Sequence, residues 1–290
     1  MTNTQYILLA LFCLFVFNGF SQTQIDTTKR VYVPLKTFKE KFKSKDSIGF
    51  FVDKHKDTLI RINNYEAPKG IAVPYEYKDS TFLQQYEKVA FKIKHKDSAD
   101  THTMKYWKDD IKIFFSERIP RNVVKNIMIF TNRIDSEVDS LHIYQVKHLE
   151  QSNYVIYTDK DYQYLNGLKH YKRSEAWTYW NHKNQIDRVY LRLYSPEIIT
   201  EKLQSQMIKN LFFNTLGYFN LDNELGCENY LSNCYSADNK QLTTLDLEIL
   251  KYHYSYGICK GTTRNTFREQ HRQCKEALNK SNALSLFYHN

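Results

Sequence analysis

The apolar positions of this chain change their spacing several times, and each change marks an element. Residues 6–17 are apolar without a break, and the first charged side chain is Asp26. A run of about 12 residues is too short to cross a bilayer, which takes about 20, and it fits the core of a secretory signal. Gly19 and Ser21 supply the small residues wanted before a cut at Gln22. Residues 1–21 are therefore predicted to be a cleaved export signal, with the mature protein in the periplasm, on the cell surface or outside the cell. The start carries no Lys or Arg, unlike most signals, so an uncleaved anchor is the competing reading.

Between residues 22 and 104 the pattern is one of short strands. Residues 47–52 and 58–62 flank Asp53-Lys54-His55-Lys56-Asp57, as in a hairpin. Val89, Phe91 and Ile93 alternate with Ala90, Lys92 and Lys94 and predict a further strand. This stretch reads as a small β-rich N-terminal region.

The pattern changes near Lys105. A strand is predicted at 111–115. Pro120 can open a helix, and Val123, Ile127, Phe130 and Ile134 follow at helical spacing. Strands are predicted at 141–146, 153–157 and 189–194, with 159–185 left as a long aromatic excursion. A second helix is predicted from 196 to 216, carrying Leu203, Met207 and Leu211 on one row and Ile208, Phe212 and Leu216 on the next, and Gly217 is placed to end it. Thr243 with Asp246 resembles a capping box for a helix over 244–255. Thr262 or Thr263 would cap a last helix bearing Phe267, His271, Cys274 and Leu278. The order predicts an α/β fold, a mixed sheet packed by helices, over 105–260, with a C-terminal helix in 261–290.

Composition narrows the class. The 23 Tyr and 18 Phe supply a large core, while 8 Gly and 5 Pro are too few for a linker-rich chain. No second apolar stretch is long enough to span a membrane. The net charge is +9, which favours contact with anionic lipid or acidic polymer. Lysines often neighbour acids, as in Lys39-Glu40-Lys41 and Lys78-Asp79. That spread is the pattern of a solvated surface and argues against nucleic acid as a partner. Beyond Cys13 the cysteines are Cys227, Cys234, Cys259 and Cys274. An even number in an exported chain implies two disulfides, and three pairings are open. Cys227 with Cys234 and Cys259 with Cys274 close the shortest loops.

Residues 210–220 read Asn-Leu-Phe-Phe-Asn-Thr-Leu-Gly-Tyr-Phe-Asn. Set against H-E-x-x-H-x-x-G-x-x-H, Asn210, Asn214 and Asn220 stand at the three zinc ligands and Leu211 at the Glu. In that pattern two imidazoles at i and i+4 share one zinc and the Glu acts on metal-bound water. Amides bind zinc poorly and Leu takes no proton. The stretches around this helix add to the likeness: Tyr106-Trp107-Lys108, Asn153-Tyr154-Val155-Ile156-Tyr157, residues 189–194, Leu242-Thr243-Thr244-Leu245-Asp246, Gly261-Thr262-Thr263-Arg264, and Ser232-Asn233-Cys234 with Cys in place of Met. Over residues 105–265 the chain resembles the metzincin metallopeptidases, and more closely a group of exported bacterial proteins of unknown function that lack a full zinc site.

The resemblance implies a zincin-like fold whose catalytic positions are degenerate, an edge strand at 189–194 lining a cleft, and a role in holding a peptide or envelope polymer. Tyr190, Arg192, Tyr194, Trp177 and Trp180 are the cleft candidates, since aromatic rings beside a groove can grip a ligand; the competing role for the two Trp is to close the core. No cofactor is predicted, and zinc stays open through a different site built from His170, His182 and Glu175 or Asp187, which would make the protein an active metal-dependent hydrolase. His253 and His271 are expected to be structural. The third reading is an envelope protein with an unrelated α/β fold.

Overall fold

The computed structural model describes residues 31–34, 50–52, 58–62, 71–91, 102–161, 172–197, 200–234, 240–281 and 285–289. The expected signal, residues 1–21, lies outside them, as do His170 and Ile93. The chain forms two compact units, residues 1–68 and 69–290.

In the first unit, β1 (Val31–Pro34), β2 (Phe50–Val52) and β3 (Thr58–Ile62) form an antiparallel sheet in the order β1-β3-β2. Phe50 pairs with Ile60 and Val52 with Thr58, so β2 and β3 are the hairpin that the sequence implies.

The second unit opens with β4 (Ile71–Pro74), which pairs with β11 (Leu286–His289), and then α1 (Ser80–Ala90). The helix corrects the strand expected at residue 89. Asp79 caps α1 by accepting from the N–H groups of Thr81 and Phe82, and Leu83, Tyr86 and Ala90 are buried at helical spacing. The alternation around Val89 was a fragment of this longer period. Glu87 fastens α1 to the C-terminal helix, accepting from Arg264 and Arg268, each at 2.8 Å.

The main sheet contains β5 (Tyr106–Trp107), β6 (Ile111–Phe115), β7 (Ile143–Gln145), β8 (Tyr154–Thr158), β9 (Glu175–Trp180) and β10 (Gln185–Leu193). Strands β10, β8, β6 and β7 lie side by side and parallel; β5 extends the row beside the start of β10, and β9 runs antiparallel on the far side of β10. The fold is thus mixed α/β, as the order of elements predicts. Residues 175–180 correct two expectations. The aromatic stretch contains a strand, and among the described residues this strand, not 189–194, is an edge of the sheet. β10 is interior, bonded on both sides.

One face of the sheet carries Ile111, Ile113, Tyr154, Ile156, Val189 and Leu191, all buried in the core cluster. It packs against α2 (Arg121–Glu137) and α3 (Glu201–Thr215). Val123, Ile127, Phe130 and Ile134 face inward from α2, as do Ile208 and Phe212 from α3. Full burial of each such side chain contributes about 1.5–3 kcal/mol. α3 starts five residues later than expected, because Ser195–Glu197 forms a short 3-10 turn and Thr200 is the cap, accepting from Leu203 N–H. α4 (Thr244–Tyr254) has the expected capping box of Thr243 and Asp246. α5 (Arg264–Ser281) follows. Cys227 and Cys234 are joined by a disulfide. Cys259 and Cys274 are both free thiols, which corrects the expected second bond.

Candidate functional site

The residues aligned with the zinc pattern lie on α3 and in the turn that follows. Ser205, Ile208, Phe212, Phe213 and Thr215 are the buried side of this helix. At 100° per residue, Asn210 and Asn214 fall on the opposite side and Leu211 on the flank, and all three are half-buried. Asn214 donates its amide to Phe219 carbonyl at 2.8 Å, and Phe219 N–H returns to Asn214 carbonyl at 2.9 Å. That side chain holds the turn together. Asn210 Oδ1 is buried with no hydrogen-bond partner among the described residues. Leu211 packs on the core. Asn220 is exposed, and its backbone N–H donates to Val89 carbonyl at 2.7 Å. This donor set does not fit zinc: its side-chain donors are neutral amides, and one of them is already engaged.

The turn differs from expectation in one respect. The left-handed residue is Tyr218, with φ 51°, and Gly217 is needed for space. A Cβ on Gly217 would lie 2.4 Å from the Phe219 ring and 2.9 Å from His253 Nε2. His253 is fully buried beneath the turn. Its Nε2–H donates to Lys105 carbonyl at 2.8 Å, and its Nδ1 accepts from Tyr86 hydroxyl at 3.1 Å. Burial, with a smaller contribution from Lys260, holds its pKa down at about 3 although the bond to Lys105 acts the other way. His253 is therefore neutral, and it is structural, as expected. So is His271, whose Nδ1 meets Tyr75 hydroxyl at 2.5 Å.

Strand pleating divides the cleft candidates. Tyr190 lies opposite Trp177, and Arg192 opposite Glu175, so these share the sheet face turned away from α3. There the Arg192 guanidinium lies 5.4 Å from the Trp177 ring centre, and the Tyr190 ring meets Tyr179 at 6.1 Å. Arg192 is buried and donates to Arg173 carbonyl. Trp180 lies opposite Ile186 on the α3 side, against the Tyr218 ring at 4.9 Å. Tyr194 follows β10 and donates its N–H to Ser174. The five candidates therefore occupy two places.

Of the alternative histidine site, His170 lies outside the described residues, and the described members are dispersed. His182 lies exposed in the turn between β9 and β10, Asp187 is exposed, and Glu175 accepts from Arg173 at the far end of β9. The length of β9, roughly 17 Å, separates Glu175 at its start from His182 in the turn beyond its end. Among the described residues no group of three His, Cys, Asp or Glu side chains converges to hold a metal.

The group that sequence reasoning missed is Lys105. Its ammonium donates to Thr103 hydroxyl at 2.5 Å and Asn184 Oδ1 at 2.6 Å, and lies 4.7 Å from the Trp180 ring centre. Asn184, with φ 62°, closes the turn from β9 into β10 and donates to Gly261 carbonyl. Nothing in the sequence links Lys105 to Trp180, since the two meet only through sheet pairing. A cavity of about 570 Å³ at the C-terminal ends of α2 and α4 holds the Glu137–Lys251 ion pair and none of the candidate residues. No protein-family model, no curated protein and no solved structure matches this chain.

Proposed function

We propose that this protein is an exported, non-catalytic binding protein on a metallopeptidase-like scaffold, and that it holds an extended peptide along β9. The observation that carries the reading is the pairing of an edge strand with a helix whose ligand positions are amides. Among the described residues β9 is bonded only through β10, so its other edge offers backbone N–H and C=O groups to an added strand. Beside it, α3 presents Asn210, Leu211 and Asn214 where a zinc peptidase has its ligands and base. Trp180, 39 % exposed, stands on β9 at the α3 side. Export is supported by the apolar run at residues 6–17 and the Cys227–Cys234 disulfide. Among the described residues no helix is long and apolar enough to cross a membrane.

The test is to incubate the purified protein with zinc, remove the excess, and measure metal per chain together with hydrolysis of a mixed peptide library. The expected result is roughly no retained zinc and no cleavage, with retention of library peptides. Zinc-dependent cleavage that disappears on Asn210→Ala or Asn214→Ala would overturn the reading.

A further inference from the structure

Lys105 carries a charge that the fold does not match. Both acceptors of its ammonium are neutral, and among the described residues no carboxylate pairs with it. Burial lowers its pKa, and no acidic group among the described residues acts in the other direction. An ammonium removed from water without a counter-charge is costly unless something supplies one. Next to it is strained backbone. A bulky residue with positive φ costs about 1–3 kcal/mol and persists only where its surroundings hold it. Tyr218 is such a residue, seated between Gly217 and the buried Phe219, with its ring on Trp180. The backbone of Lys105 is held as well, its carbonyl accepting from His253 Nε2–H.

We propose that Lys105, Trp180 and Tyr218 form a subsite for an acidic side chain, Asp or Glu, of a bound extended peptide; this rests on the peptide reading of β9. The carboxylate would accept from the Lys105 ammonium, a charge-assisted bond roughly twice as strong as a neutral one. The methylene stem of the acidic residue would lie on the two rings, which are apolar faces already partly open to solvent. The long-range field agrees in sign, since the chain carries a net charge of +9 and draws acidic partners.

The test is calorimetric titration with two blocked hexapeptides, acetyl-Val-Glu-Val-Glu-Val-Glu-amide and its counterpart with Gln at each Glu. The wild type should bind the Glu peptide about tenfold more tightly than the Gln peptide at low salt. Lys105→Met should reduce that preference to about twofold or less, and Lys105→Arg should retain most of it. Equal affinity of the two peptides for the wild type overturns the subsite and leaves the peptide reading standing. That comparison needs no variant, so it decides even if Lys105→Met folds poorly. A Lys105→Met protein that folds and keeps the full preference also overturns the subsite. Failure of both peptides to bind the wild type overturns the peptide reading of β9 and the subsite with it.

Discussion

Two polar clusters lie in the α/β unit, one before α4 and one beside the turn after α3; the first holds a buried lysine and the second a half-buried one, and they treat its charge in opposite ways. Before α4, Lys240 is 6 % exposed and donates to the carbonyls of Asn229 and Ser232 at 2.7 and 2.8 Å. Asp246 lies in the same cluster, accepting from the N–H groups of Tyr230, Leu231 and Thr243 beside the Thr243 hydroxyl. Burial lowers the pKa of Lys240, and the charge of Asp246 partly offsets it. The cluster is closed: lysine, carboxylate and loop carbonyls satisfy one another, and the disulfide Cys227–Cys234 ties the same loop. After α3, Lys105 has no such carboxylate among the described residues, Tyr218 is strained, and Trp180 is partly exposed. A closed network fixes a loop, whereas an open one keeps charge and ring surface for something else to complete. Burial of a polar group is not by itself the mark of a site; burial without compensation is more informative.

The largest effect expected from this contrast is on stability at the closed cluster. Asp246→Ala would strand three N–H donors and remove the counter-charge of Lys240, and should cost about 3–5 kcal/mol in urea unfolding. A loss below about 1 kcal/mol would mean that the cluster is not the structural knot described. Next in size, Gly217→Ala should cost about 1–3 kcal/mol, because the added methyl runs into the Phe219 ring and His253.

The third prediction concerns pH. The folded-state pKa of His253 is lowered from 6.5 to about 3, so its neutral form is the one the fold keeps. Its contribution is fully present above the unfolded value of 6.5 and is lost as pH falls towards 3. The slope from this one group reaches at most about 1.4 kcal/mol per pH unit. Melting temperature measured from pH 7 to pH 4 should fall less steeply in His253→Gln than in the wild type; parallel curves would contradict the assignment. The smallest effect is expected at the open cluster. Lys105→Met should change stability by no more than about 1 kcal/mol, in either direction, since it loses two hydrogen bonds to neutral acceptors but no ion pair, and Asn184 Oδ1 keeps its bond from Thr103 hydroxyl. A penalty of several kcal/mol would place Lys105 among the structural residues and erase the contrast.

Much of the architecture was legible along the chain. The helical spacing of Val123, Ile127, Phe130 and Ile134 marks α2, the pair Thr243 and Asp246 marks the start of α4, and the apolar runs at 111–115 and 154–157 mark two central strands. The errors have local causes. Residues 80–90 were hidden because Tyr86 and Glu87, both buried, look like surface residues in a pattern of apolar spacing. Strand β9 was hidden because its alternating positions are aromatic on both faces, Trp177 and Tyr179 on one and Trp180 on the other, which blurs a period of two. Cys259 and Cys274 were paired on loop length alone, and loop length says nothing about whether two thiols meet in the right geometry.

By itself the sequence determined the α/β class, the helix that carries Asn210, Leu211 and Asn214, and that these three positions hold neither imidazole nor carboxylate, because these follow from local periodicity and side-chain chemistry. Only the tertiary structure decided that β9 is an edge of the sheet among the described residues, that Trp177 and Trp180 face opposite ways, and that Lys105 reaches Trp180 from 75 positions away. Strand pairing and pleating set those relations, and they depend on contacts between distant segments that no local pattern encodes.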